Sequence, residues 1–145
     1  MTPGPQTMKK PRSPYDKVSG TYYFARMLDK MRLNAARSLH EDYLADLGRG
    51  FDGRLCQYLR VAYPDLLQQV LAGKTDDEAW AWSLEHGRQL SEEDVVVWNG
   101  FVSTRGWKDA ASMALEDHKL QSGLLHRDDL LTYFEYYEVD EGRRP

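Results

Sequence analysis

The sequence predicts an all-α fold, a compact single-domain bundle of about seven short-to-medium helices, and three observations predict it. Apolar residues recur at spacings of three and four along the longer segments. Hydroxyl and acidic residues stand where helices begin, twice with an acid three residues after a Thr or Ser, and glycines close most of the segments so opened. The one stretch with strand character, VVVW at Val95 to Trp98, lies between such a start and such a stop and reads as helix.

Taken in order, residues 1–12 hold Pro3, Gly4, Pro5 and Pro11 with almost nothing to bury, the composition of a flexible tail. Lys9, Lys10 and Arg12 on it read as solvated charges. Residues 13–145 form the helical domain. Ser13-Pro14 offers an N-cap and a proline at a first helical position, predicting a short preliminary turn before Gly20. Over residues 21–37, Phe24, Met27, Leu28, Met31 and Ala35 fall at offsets 0, 3, 4, 7 and 11, one amphipathic stripe, with Arg26, Asp29, Lys30 and Arg37 on the other side.

Asp52 is read as the cap of a helix through Leu55 and Leu59, and Pro64 as the opening of another that carries Leu66, Leu67, Val70 and Leu71 and ends at Gly73. Thr75 to Glu78 reads as a capping box before Trp80 to His86, stopped by Gly87. Ser91 to Asp94 repeats the signal before residues 95–105, stopped by Gly106. Residues 109–121, closed by Gly123, and 128–138, with Leu130, Phe134 and Tyr137 at offsets 0, 4 and 7, complete the count.

Composition narrows the function classes. The chain has 145 residues, 41% hydrophobic and 29% charged, which is globular composition. Cys56 is its only cysteine, so one copy forms no disulfide, and a reducing cytoplasm is the expected compartment. No run approaches the roughly 20 apolar residues of a membrane span, and no apolar stretch follows the first basic residues as in a secretory signal. A net charge of −4 argues against nucleic acid as the main partner. Residues 1–73 hold 11 Lys and Arg against 7 Asp and Glu, and residues 74–145 hold 8 against 16, so the halves carry +4 and −8. Such opposed halves suit contact across the fold or across a dimer.

GRGFDG at Gly48 to Gly53 satisfies G-x-G-x-x-G letter for letter, but EDYLADL before it is no buried strand and a second helix follows. The dinucleotide fingerprint needs strand, turn and helix in that order, so these glycines serve a tight loop. Arg49 and Arg54 flank the helix start, which leaves it open to a phosphate or carboxylate. No phosphate loop, nucleophile elbow or metal-ligand spacing occurs. Glu116, Asp117, His118, His126, Asp128 and Asp129 read as solvated helix ends, so neither metal nor cofactor is expected.

Other residues attract weight individually. Asn99 interrupts VVVWNGFV, a helix apolar on nearly every side and so read as buried; its amide must find partners. A bond to a neighbouring helix, with Gly100 allowing close approach, is the first expectation, and ligand anchoring beside Arg105 and Trp107 the second. Arg26, Asp29 and Arg32, spaced by three, permit ion pairs along one helix flank. Trp80 and Trp82 sit about 200° apart around their helix and cannot share one buried face. With Tyr133, Phe134, Tyr136 and Tyr137 they suggest an aromatic surface for a protein partner, with Trp82 and Tyr136 as its marked positions.

The blocks SPYDKVSG, ARMLDKMR, LGRGFDGR, TDDEAWAW, VVVWN and RGWKD, in this order, resemble the bacterial DUF5069 family over residues 12–143. The resemblance implies a self-contained bacterial, cytoplasmic domain and carries no reaction, cofactor or catalytic residue with it. The functional expectation is a non-catalytic binding module for a protein partner or a small anionic molecule. Alternatives are a small enzyme drawing on Asp29, Arg32, Asp52, Arg54, Asn99 and Arg105 in an interhelical pocket, and a structural homo-oligomer such as a dimer.

Overall fold

The computed structural model describes residues 8–145. Among these are seven α-helices, one 3₁₀ helix and one small antiparallel hairpin, so the fold is predominantly helical as predicted. The chain opens with β1 (Lys17–Val18) and β2 (Thr21–Tyr22), paired Lys17 to Tyr22 and Val18 to Thr21. Ser19 and Gly20 between them both have positive φ, 49° and 77°, the geometry of a two-residue hairpin turn. This hairpin stands where the sequence predicts only a turn.

α1 (Phe24–Ala35) follows, and Phe24, Ala25, Met27, Leu28 and Met31 on it are essentially without exposure. It packs on α3 (Tyr63–Leu71), which rests in turn on α2 (Phe51–Leu59) and α4 (Asp76–His86). The core joins the α1 stripe to Leu55, Leu59, Leu66, Val70, Trp80, Trp98, Val102 and Phe134. Arg26 and Lys30, predicted on the polar side of α1, are 2% and 3% exposed. Both charges have buried partners elsewhere in the chain, so the helix is enclosed on that side too.

α4 and α5 (Glu92–Thr104) begin at Thr75 and Ser91 with complete capping boxes. VVVW is helical within α5, but the helix is not buried all round, since Val96 and Val97 are more than half exposed. Gly100 faces open space rather than a close neighbour. Instead α5 seals the free edge of β2: the Asn99 carbonyl accepts from the Tyr22 N–H at 3.0 Å, its amide donates to the Gly20 carbonyl at 2.9 Å, and Trp98 Nε1 donates to the Tyr22 carbonyl at 3.0 Å. EDYLADL becomes the 3₁₀ helix Glu41–Asp46.

α6 (Ser112–Gln121) and α7 (Tyr133–Asp140) start later than the sequence predicts. Asp109 is spent in the preceding loop, accepting from the Gly106 and Ala111 N–H groups. The start signal of α7 is Thr132 with Glu135, whose N–H donates to the threonine hydroxyl at 3.1 Å.

The first seven residues of the expected tail lie outside the described residues. Residues 8–12 are tied down: the Lys9 N–H donates to the Ser38 carbonyl at 2.7 Å and the Lys9 carbonyl accepts from the His40 N–H at 2.9 Å. Pro11 is buried, and the Arg12 N–H donates to Asp29 at 2.9 Å.

Candidate functional site

A cavity of about 600 Å³ opens between α1, the 3₁₀ helix, α2, α6 and α7. Its floor is α1, where Arg26 and Lys30, four apart, share one face, with Tyr23 immediately before the helix. One wall is α7, with Tyr133, Tyr136, Tyr137 and Asp140 at offsets 0, 3, 4 and 7. Asp42, Tyr43 and Asp46 of the 3₁₀ helix, Arg49, Phe51 and Arg54 around the start of α2, His118 and Ser122 of α6, and Arg105 after α5 complete it.

Two buried ion pairs support the floor. Arg26 donates through both terminal nitrogens to Glu141, at 2.7 and 2.8 Å, and its guanidinium lies 4.3 Å from the Tyr137 ring centroid. Burial alone would lower the Arg26 pKa, but the Glu141 carboxylate outweighs it and raises the value further. Burial likewise pushes Glu141 up, yet Arg26, the Tyr43 hydroxyl and Arg143 hold its carboxyl below the usual range. Among the described residues the Nε–H of Arg26 has no acceptor.

Lys30 meets Asp52 at 2.7 Å, and burial lowers its pKa against the pull of that carboxylate. Asp52 also accepts from the Tyr23 hydroxyl at 2.7 Å and from the Gly48 N–H at 3.1 Å. It does not cap α2 as the sequence predicts: α2 follows Gly50 and has no side-chain cap, and Asp52 sits inside its first turn facing the core. The GRGFDG loop thus serves a carboxylate of its own chain. Its first glycine is constrained twice over, by a φ of +74° and by the Tyr63 ring, 3.0 Å from where a Cβ would stand.

Charge is unevenly spread over this lining. Among the described residues, Arg49 and Arg54 have no acidic partner, while Arg105 lies 3.6 Å from Asp109. Arg54 and Arg105 approach the same Phe101 ring, at 5.5 and 5.4 Å from its centroid. The aromatic wall is also hydrogen-bonded: Tyr133 Oη lies 2.8 Å from His118 Nδ1, and the Tyr136 hydroxyl meets Ser122 and the His118 carbonyl. Burial, with Tyr136 and Asp117 nearby, pushes the Tyr133 phenol up to about 12. Cys56 is pushed up to about 12 by burial and Asp52, which leaves its thiol neutral and inert at ordinary pH.

The residues singled out from sequence separate into groups. Arg54 and Arg105 line the cavity and Asp52 stands directly behind its floor. Asp29 anchors the Arg12 backbone, Arg32 reaches Asp76 at 2.6 Å and the Lys74 carbonyl, and Asn99 holds the hairpin, so these three do not join them. Tyr136 is 6% exposed and belongs to the cavity wall, not to an outer partner surface. Trp82 is half-buried and lies flat on His86, centroids 4.8 Å apart, beside a shallow groove with Arg60 and Asp65. The sequence reading missed Tyr23, Tyr43 and Tyr137 as lining residues. The repeat of aromatics at helical spacing ahead of Asp140 was the available signal for the α7 wall.

Among the described residues no group of His, Cys, Asp and Glu is arranged to hold a metal ion, and no helix is long and apolar enough to cross a membrane. The family described as a domain of unknown function (DUF5069) matches residues 8–143. No curated protein matches the chain.

Proposed function

We propose, for a chain that belongs to the DUF5069 family and inherits no assigned reaction with that membership, that it binds a small organic anion in the cavity beside α7. The observation that carries this reading is the pair Arg49 and Arg54, which line the cavity without an acidic partner among the described residues. Every other guanidinium around the floor is already neutralised: Arg26 by Glu141, Arg143 by Glu138 and Glu141. Arg105, itself 3.6 Å from Asp109, lies close by, and Tyr133, Tyr137 and Phe51 offer rings for the body of the ligand.

Binding without turnover is the form we carry forward, because Asp52, the carboxylate under the floor, is occupied by three donors. A cytoplasmic location, where a lone thiol stays reduced, and a bacterial host belong to the same proposal. In a thermal melt at low salt, small carboxylates and phosphates are expected to raise Tm. Stabilisation approaches about 2.7 kcal/mol at a hundredfold excess over Kd and declines as salt is added. Arg49→Ala/Arg54→Ala is expected to fold normally and lose the response. An equal response in wild type and double variant would place the anion elsewhere and end this reading.

A further inference from the structure

The cavity is divided electrically along α7, and we infer from that division that its ligand is a zwitterion, an oxyanion at one end and an ammonium group at the other. This rests on the anion site proposed above and adds a second charge to the ligand.

The basic end lies at the start of α7. The Tyr133 N–H, the first of the helix, donates to the Arg105 carbonyl at 2.9 Å, and Arg54 shares the Phe101 ring with Arg105. The acidic end lies seven residues further on, about 10 Å along the axis at 1.5 Å per residue. There Asp140 lines the cavity with Asp42, and Tyr136 stands one turn before it on the same face. Tyr43 lies alongside, its hydroxyl on Glu141 at 2.7 Å. Carboxylates beside tyrosine rings make an ammonium site, since the ring faces attract a cation that the acids neutralise.

This distribution opposes stability, which is the reason to read it as functional. The dipole of α7 favours cations at its end, yet Asp140 stands in the last turn, which holds no basic residue. Asp140 is only partly answered within the chain: burial raises its pKa, Lys10 and a hydrogen bond with Ser122 oppose the rise, and Glu141 and Asp42 add to it. The two buried pairs, Arg26 with Glu141 and Lys30 with Asp52, are closed within themselves and do not cancel either end. An ammonium–oxyanion molecule neutralises both ends at once.

The test is calorimetric titration of the full chain with matched probes: γ-aminobutyrate against butyrate, ε-aminocaproate against hexanoate, and O-phosphoethanolamine against ethyl phosphate. The pairs separate carboxylate from phosphate at the basic end. At least one zwitterion is expected to bind about tenfold or more tightly than its anion-only analogue, a difference of about 1.4 kcal/mol. Asp140→Asn should abolish that preference, keep the anion-only binding, and raise the Tm of the ligand-free protein. Asp42→Asn, at an exposed position, should reduce the preference without disturbing the fold. If each anion binds as well as its zwitterion, the second charge is refuted and the anion site stands. If neither member of any pair binds, the anion site fails and this inference fails with it.

Discussion

Glu141 bears more of the structure than any other single carboxylate near the cavity. It receives both ends of the Arg26 guanidinium, the Tyr43 hydroxyl and Arg143. Because these donors hold its folded pKa below the ordinary value of about 4.5, its contribution is complete above that pH and is lost as the pH falls through the folded value. Stability measured by denaturant melts should therefore decline on acidification below pH about 4.5. Glu141→Gln should lower stability at neutral pH by about 3–5 kcal/mol, the usual consequence of leaving a buried cation without its counter-ion, and should flatten the acid limb. An unchanged acid limb would show that Glu141 is not the group responsible. None of this was legible locally: Arg26 and Glu141 are 115 positions apart, and a basic residue on the second face of an amphipathic stripe reads as solvent-facing until its partner is known.

Among the elements, the helix starts at Thr75 and Ser91 were legible because a capping box is completed within four residues. The β1–β2 hairpin was not, although Ser19-Gly20 between Val18 and Thr21 is a turn signal. Two strands of two residues have too few ladder bonds to persist alone, and this pair is held by α5. Asn99→Ala should test that dependence. It removes both amide contacts to the hairpin, so a loss of about 1–3 kcal/mol is expected from a partner left unsatisfied, with α5 helicity kept. Hydrogen exchange should accelerate at the Tyr22 amide. A Tyr22 amide as protected as in the wild type would assign the hairpin's stability to Trp98 instead. The same contacts engage both ends of the Asn99 amide within the chain.

The whole molecule is closed by its two ends. Arg143 donates to the Pro11 carbonyl at 3.0 Å, Lys10 to the Asp140 carbonyl at 2.9 Å, and Ser13 to Glu138 at 2.8 Å. Truncation after Asp140 removes Glu141 and Arg143 together and should destabilise more than Glu141→Gln alone, with faster exchange at the Lys9 and His40 amides. A truncated chain that melts like the full one would show this closure to be incidental.

Sequence by itself determined the helical class, most helix boundaries on the amino-terminal side, the hydrophobic stripe of α1 and the rejection of a dinucleotide fold for GRGFDG, because periodicity, caps and stops act over a few residues. Tertiary structure alone decided that Arg26, Lys30 and Asp52 lie inside and that Asn99 serves a hairpin. It also decided which of the marked residues meet, bringing Arg54 and Arg105 to one cavity while Asp29 and Arg32 serve other contacts. The energy of a buried charge depends on a counter-ion whose position is set by packing of distant segments, and no local pattern encodes that distance.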